Sequence, residues 1–551
     1  MISSKTFAIG SLVIAAGLSY LYNSSFSHDV VQVEKSSTIS SVAAGVQVYY
    51  VDSVATGAND GSNWANAFIE LQDALLIADA CDTIKVAEGT YFPTGTPPVP
   101  MPDRTVSFVI PESVVVLGGY GRGADSLIRN WVCNKVILSG DIDHNGDTLN
   151  NSYHVVQTIN VDSTTIVDGF CITGGNANGN GIDNSGGGGW FNNGSGAGNL
   201  SNPTIINCVL YANAGVIGGA MFNKGFDLGR SKPIMINCLL TGNNANYGGA
   251  MSNRTFNDIL DLNRGTSSPI LINCVLSGNY ARFSGGAMYN VGANPILTNC
   301  ILWNNDANSG LGSGPVFENY EAIPKVGYSI LQGISMNDVS VTGGVGMTMD
   351  NGFNKFVDPF FINAPSAGLS TAGNFHLLIA SPAIDMGDNS VNNYPADLDG
   401  KVRIFNSTID IGAYEFYINC DLYSGLTRIY VDSSAMGTNN GLTWDSAFTD
   451  LQDALAVVRS CGVDTILVAK GTYYPSDTLI IPNLCNDMVD IFEPNRSISF
   501  NIPESTVLLG GYPSGGQGLR NWVCNKTILS GDIDHNGDTL NNSYHVVQTI
   551  N

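Results

Sequence analysis

Between residues 203 and 305 the chain repeats one short pattern of apolar and polar positions: PTIINCVLYAN (203–213), PIMINCLLTGN (233–243), PILINCVLSGN (269–279) and PILTNCILWNN (295–305). Each copy holds two short apolar runs, broken by Asn-Cys and closed by Asn. No copy carries a helical-length periodic stretch. Runs this short, bounded by Asn and Gly, read as strands joined by tight bends. Asn and Gly tolerate the left-handed backbone such bends require. Cys208, Cys238, Cys274 and Cys300 share one slot, and Asn213, Asn243, Asn279 and Asn305 share another, with Cys171 and Asn176 as a weaker fifth pair. GGAMFN at 218, GGAMSN at 248 and GGAMYN at 285 follow the first three copies, and GGGWFNN at 187 precedes them as a degenerate member. A slot that returns in this way, coil after coil, marks a solenoid. The expected fold is all-β, a right-handed parallel β-helix. Its Cys slot should stack inside the core, about 4.8 Å from rung to rung. We read those thiols as small buried hydrophobes, since no CxxC pair and no in-phase His suggests a metal or redox cluster. The Asn slot reads as an internal amide ladder.

Outside the repeats the periodicity changes. Trp64, Phe68, Leu71, Leu75 and Ala78 are spaced 4, 3, 4 and 3, the stripe of an amphipathic helix. A solenoid needs capped ends, so this helix is expected to lie over the N-terminal opening. The same phase recurs late in the chain, at Trp444, Phe448, Leu451, Leu455 and Val458. The stretch 129–160 recurs at 520–551 with a single change, Val136 to Thr527. The expected organisation is a signal peptide (1–27), a linker (28–48), an N-terminal cap with first coils (49–160), a repeat body (161–360), a closing segment (361–418), a second linker (419–428) and the start of a second unit (429–551). That second unit has a lid and early rungs but no body, so the sequence reads as a fragment of a longer chain. An open end would expose unpaired strands.

At 551 residues the chain exceeds one compact core. Its 64 Gly and 13% charged residues suit short strands and turns. A net charge of −24 argues against a nucleic-acid partner, which needs a basic face, and suits a secreted, calcium-tolerant protein. Lys5 followed by the mostly apolar Phe7–Tyr22 reads as an export signal. That run falls short of the roughly 20 residues of a spanning helix, although an uncleaved anchor is the alternative. The 11 cysteines are spaced like a repeat and not like a disulfide scaffold.

Candidate chemistry lies in two places. The segments 194–202, 224–232, 254–268 and 291–294 vary in length at one point of successive coils and should emerge on one side. They carry Lys224, Asp227, Arg230, Lys232, Arg254, Asp258, Asp261 and Arg264, with Phe226 and Phe256 among them. Phe226, Arg230, Arg254 and Phe256 are the candidate sugar contacts; solvated loop tips are the bland alternative. The second place is SGDIDHNGDTLNN. Asp141, Asp143, Asn145 and Asp147, with Gly146 at the sharp turn, match the first half of a calcium loop. Asp532, Asp534, Asn536 and Asp538 repeat it. Ser152 stands where an EF-hand has Glu, so an EF-hand proper is not expected, and an Asp-rich turn held by its own side chains is the alternative. Asp397-Leu-Asp399-Gly400 is a shorter calcium candidate, and His144 reads as exposed and inert.

The GGAMxN and NCxLxxN elements resemble the repeats of the chlamydial polymorphic outer membrane proteins, and recur in many pectin-lyase-like β-helix proteins. Ser381–Gly387 (SPAIDMG), Asp397–Arg403 (DLDGKVR) and Asp410–Glu415 (DIGAYE) resemble the closing segment of the bacterial choice-of-anchor Q proteins. This resemblance implies extracellular or bacterial cell-surface placement and no particular reaction. The expected function is non-catalytic adhesion to, or binding of, an extracellular polysaccharide or a cell-surface glycan. One alternative is a polysaccharide lyase or glycoside hydrolase. A lyase needs a cation and a base at the uronate, for which Arg230, Arg254 and Arg264 are available. A hydrolase needs paired carboxylates, for which Asp227, Asp258 and Asp261 are available. A structural spacer is the third reading.

Overall fold

The computed structural model describes residues 46–93, 103–123, 129–256, 263–307, 316–333, 349–365, 367, 373–378, 381–405, 407–416, 418, 420–475, 499–533 and 542–549. The expected signal peptide lies outside them. One coil shows how the chain runs. Thr204–Ile206 joins sheet I, Val209–Tyr211 sheet II, Ala214–Ile217 sheet III, Met221–Lys224 sheet IV and Arg230–Ser231 sheet V, and Ile234–Ile236 then returns to sheet I. Successive coils stack in parallel register, so Ile205 pairs with Met235, Leu210 with Leu240 and Met221 with Met251. Sheet I has ten strands, sheet II eight, sheet III five, sheet IV seven and sheet V three. The chain is a parallel β-helix.

Side chains alternate across each strand, so the middle residue of each three-residue run, and the first and third of each sheet IV strand, point inward. Ile205, Leu210, Met221 and their stacked equivalents are fully buried. The four repeat thiols are buried among them, and burial pushes the Cys208 thiol up to about 12. Ser329 takes the next slot, its Oγ accepting from Cys300 N at 3.0 Å.

Three amide ladders run along the axis, where the sequence suggested one. In the expected ladder Asn213, Asn243 and Asn279 each donate from Nδ2 to Oδ1 of the next rung's Asn, at 3.1, 2.9 and 2.9 Å. The Asn of GGAMxN builds a second: Asn192, Asn223, Asn253, Asn290 and Asn319 link at 2.8–3.2 Å. The Asn before each repeat Cys builds a third from Asn207, Asn237, Asn273 and Asn299, all in left-handed backbone with φ between 49° and 56°.

The predicted lid helix is shorter than its apolar stripe. Trp64–Asn66 is one 3-10 turn, and Phe68 bridges to Val51 as extended chain. Only Leu71–Ile77 (α1) is helical, because Phe68 N donates to Tyr50 O and Phe68 O accepts from Asp52 N, a strand-like pairing that a helix would forbid. Phe68, Leu71, Ala74, Leu75 and Ala78 still pack on the first strands. The second unit repeats this, with Phe448 bridging Val431 and a longer helix, Leu451–Cys461 (α2). Cys461 is bonded to Cys420, so the cysteines do more than fill the repeat slot.

The closing segment lies along the flank of the solenoid. Phe361, Phe375, Leu377, Leu398 and Ile411 cover the outward Leu239, Val275, Ile301 and Ile330 of sheet II. Trp131 Nε1 donates to Leu398 O at 2.9 Å, Tyr394 Oη to Asp168 Oδ2 at 2.8 Å, and Asn237 Nδ2 to Ala396 O at 2.7 Å. The three closing motifs converge on one buried knot. Asp397, Arg403, Asp410 and Glu415 are each 3% exposed or less. Glu415 N donates to Asp397 Oδ2 at 2.8 Å, Asp410 N to Glu415 Oε2 at 3.2 Å, and Arg403 Nη1 lies 3.7 Å from Glu415 Oε2.

Candidate functional site

Sheet IV presents the outer face richest in chemistry. Its strands Met251–Arg254, Met288–Val291 and Phe317–Tyr320 are in register, so Ser252 pairs with Tyr289 and Tyr289 with Glu318, while Arg254 pairs with Val291 and Val291 with Tyr320. Met251, Met288 and Phe317, together with the ladder asparagines, take the inward positions. Alternation therefore turns Tyr289, Arg254 and Tyr320 to the outer side, each half-buried, and sets Glu318 between them as a buried carboxyl, 5% exposed. Tyr247 and Phe283 of sheet III border this grid: their rings lie 5.4 Å apart, and Tyr247 lies 5.1 Å from Tyr289. Phe283 is 42% exposed. Burial raises the Tyr289 phenol, and Arg254 opposes the shift while Glu318 and Tyr247 add to it, so these groups sense one another. Burial also draws the Arg254 guanidinium down from its usual value. The opposite border is Phe256, which lies 6.5 Å from Tyr320 and carries the Arg264 guanidinium 4.1 Å above its ring. Arg264 is also ion-paired with Glu321.

Of the residues singled out from sequence, the structure places Arg254 on this face and Arg264 at its border. Phe226 and Phe256 do not offer ring faces to solvent: at 5% and 2% exposed they are the packed bases of their loops. Phe226 sits with Phe191, Ile217 and Phe222. Lys224 belongs to a sheet IV strand, where it pairs with Asp183 at 2.5 Å. Arg230 is exposed on sheet V, whose register sets it beside Thr266, so it is not part of the grid. Asp227 occupies a left-handed turn at φ 53°. Asp258 and Asp261 lie outside the described residues.

Sequence reasoning missed Tyr247, Phe283, Tyr289 and Glu318. The signal for two of them was present. Tyr289 fills the variable position of GGAMYN, and VFEN at 316–319 is a further member of the same motif, without its glycines and with Glu318 in that position.

The acidic loop closes on itself. Asp141 accepts from Asn145 N at 3.2 Å and Gly146 N at 3.0 Å, Asn145 Nδ2 donates to Asp143 at 3.0 Å, and Asp147 N donates to Asn145 Oδ1 at 2.7 Å. His144 is exposed and stacks 3.9 Å from Phe92. Among the described residues no three carboxylate, imidazole or thiol groups converge on a point that would hold a metal ion. These hydrogen bonds make the loop a turn held by its own side chains. Asp532 is described; Asp534, Asn536 and Asp538 lie outside the described residues. Asp399, of the shorter candidate, binds His376 at 2.6 Å and Lys401 at 3.1 Å.

No family profile matches the chain, and no curated protein does. Among solved structures the chain is similar to pectate lyase Pel9A, at 14% identity over 68% of this chain and 98% of that one, with a TM-score of 0.32. A rhamnogalacturonan lyase is similar at 15% identity, over 52% of this chain and 68% of its own, with a TM-score of 0.34. A pectin methylesterase from carrot is similar at 12% identity, over 62% and 87%, with a TM-score of 0.30.

Proposed function

We propose that the chain is an exported β-helix protein that binds an extracellular carbohydrate polymer without cleaving it, through the outer face of sheet IV. One observation carries this reading: the register gathers Tyr247, Phe283 and Tyr289 beside the Arg254 guanidinium on one rigid sheet, with the buried Glu318 carboxyl behind them. Aromatic faces supply apolar area to a sugar ring, and a guanidinium supplies a fork of donors to its hydroxyl or carboxylate oxygens. The solenoid spaces such groups by rung, which suits a polymer lying along the axis. The Cys420–Cys461 disulfide favours an oxidising compartment. Among the described residues no helix is long and apolar enough to cross a membrane.

The test is calorimetric titration of the chain with neutral and uronate polysaccharides. We expect saturable binding that Tyr289→Ala weakens about 10- to 100-fold, the cost of a central anchor residue, with the melting temperature retained. Arg254→Gln should weaken uronate polymers more than neutral ones. Unchanged affinity in both variants would remove the site. Release of unsaturated, ultraviolet-absorbing products would replace binding by lyase chemistry.

A further inference from the structure

The two lid helices are copies of each other, yet their outer faces differ in what covers them. In α2, Ala456 and Val457 are 1% and 3% exposed. The segment before the second unit covers part of this face. Tyr423 and Ile418 pack in one cluster with Ala454, Val457 and Val458, and Cys420 is bonded to Cys461 at the helix end. The matching positions of α1 are Leu76 and Ile77, at 81% and 45% exposed, with Ile69 beside the helix at 40%. Cys81, which matches Cys461, is an exposed free thiol. Residues 1–80 of this sequence contain no cysteine.

We infer that the outer face of α1 is an acceptor for a segment of another polypeptide, patterned like residues 418–423: an aliphatic residue, a cysteine two positions on, and an aromatic three beyond that. The duplicate shows both halves of the joint, apolar cover and disulfide. On α1 the larger Leu76 and Ile77 replace Ala456 and Val457, so the apolar area available to such a segment is greater. The covalent step is thiol–disulfide exchange. The Cys81 thiolate attacks the sulfur of a donor cysteine held as a mixed disulfide, the new S–S bond forms, and the leaving thiolate departs with the electron pair. No further oxidant is needed. The joint would link β-helix units of different chains end to end, as the second linker links the two units here.

The probe is a synthetic peptide with the sequence of residues 416–427, FYINCDLYSGLT, its cysteine activated as a mixed disulfide with 2-thiopyridine. It is mixed with the full chain, and thiopyridone release is followed with peptide mapping. Cys524 is a second exposed free thiol and serves as the internal reference. We expect Cys81 to be modified at least tenfold faster than Cys524. The advantage should be lost when peptide Ile418 and Tyr423 are replaced by serine, and lost again in Leu76→Asp. Equal rates at Cys81 and Cys524, or a Cys81 advantage that survives the serine peptide, would show ordinary thiol reactivity and overturn the proposal.

Discussion

Arg403→Leu is expected to loosen the closing segment by about 3–5 kcal/mol, the cost of removing one partner from a buried, hydrogen-bonded ionic cluster. Arg403 is fully buried, and its Nη2 donates to the carbonyl oxygens of Asp410 and Gly412. Three carboxyl groups, those of Asp397, Asp410 and Glu415, are buried with that single guanidinium. Each accepts backbone N–H groups, so the knot is also a hub for the turns at 397–401 and 410–416. Local amide exchange is the sensitive measurement, because the repeat body need not open. The Glu415 amide should exchange roughly 150- to 5,000-fold faster in the variant, on the same 3–5 kcal/mol. Adding Glu415→Gln should recover part of the loss. An increase below tenfold would mean that the guanidinium is not what holds the knot.

The same knot sets a pH dependence. Burial, then the neighbouring Asp399, pushes the Asp397 carboxyl up to about 6. Burial raises Asp410 and Glu415 too, against the opposing pull of Arg403. A carboxyl raised in the folded state stabilises fully below its unfolded value, about 4, and that contribution is lost as pH rises through the folded value. Asp399 is the counterweight: despite its burial, His376 and Lys401 hold it down to about 2, so its contribution is lost only in strong acid. Asp385 faces the knot through its N–H bond to Asp410 and lies within reach of Arg459. The opening free energy of residues 394–416, from exchange corrected for intrinsic rate, should therefore fall as pH rises from about 4 through 6. A segment that tightens over that window would contradict the assignment.

How much of this was legible in the sequence depends on how local each cause is. The Cys and Asn slots repeat at fixed offsets, so stacking forces them into columns, and one amide ladder was readable from NCxLxxN alone. The other two ladders use asparagines equally visible in the text. Recognising the second needed the knowledge that GGAMxN ends in a strand whose first and third residues, such as Met251 and Asn253, both point inward, and the third that the Asn before each Cys turns in left-handed backbone. The lid stripe was real as a burial pattern but not as a helix, because Phe68 can be buried from an extended bridge as well as from a helical turn. Charge and aromaticity in the loops suggested Phe226 and Phe256, yet a loop aromatic is as useful packed beneath its loop as displayed on it. Glu318 and Tyr289 went unseen because their neighbourhood is created by register between successive rungs, a whole coil apart along the chain, which no local window contains. The docking of Trp131 on Leu398, 267 residues away, is a contact of the same kind.

Asn243→Ala is expected to destabilise the repeat body by about 2–3 kcal/mol through hydrogen bonds alone. Asn243 Oδ1 accepts from Asn213 N and Asn213 Nδ2, both at 3.1 Å. Its Nδ2 donates to Leu210 O at 2.9 Å, Thr241 O at 3.1 Å and Asn279 Oδ1 at 2.9 Å. The site is fully buried, so water cannot take over for the backbone groups left behind. Asn213 keeps its bonds to Ile172 O and Tyr211 O, and Asn279 still accepts from Asn243 N. The principal orphan is therefore the Asn213 N–H, since Leu210 belongs to a strand paired along sheet II, which is why the estimate stays near one such group plus the lost side-chain bonds and not five groups. In a solenoid each coil is held only by its neighbours, so the defect weakens the joints on both sides of one rung and should make it the first place the array opens under urea. Asn244→Ala, one residue away and solvent-facing, should change stability by less than about 0.5 kcal/mol. If the two variants lose stability equally, the ladder is a passenger of the apolar core. If Asn243→Ala alone opens the array at its own rung, the amides hold the coils in register, and the register in turn holds Arg254, Tyr289 and Glu318 on one face.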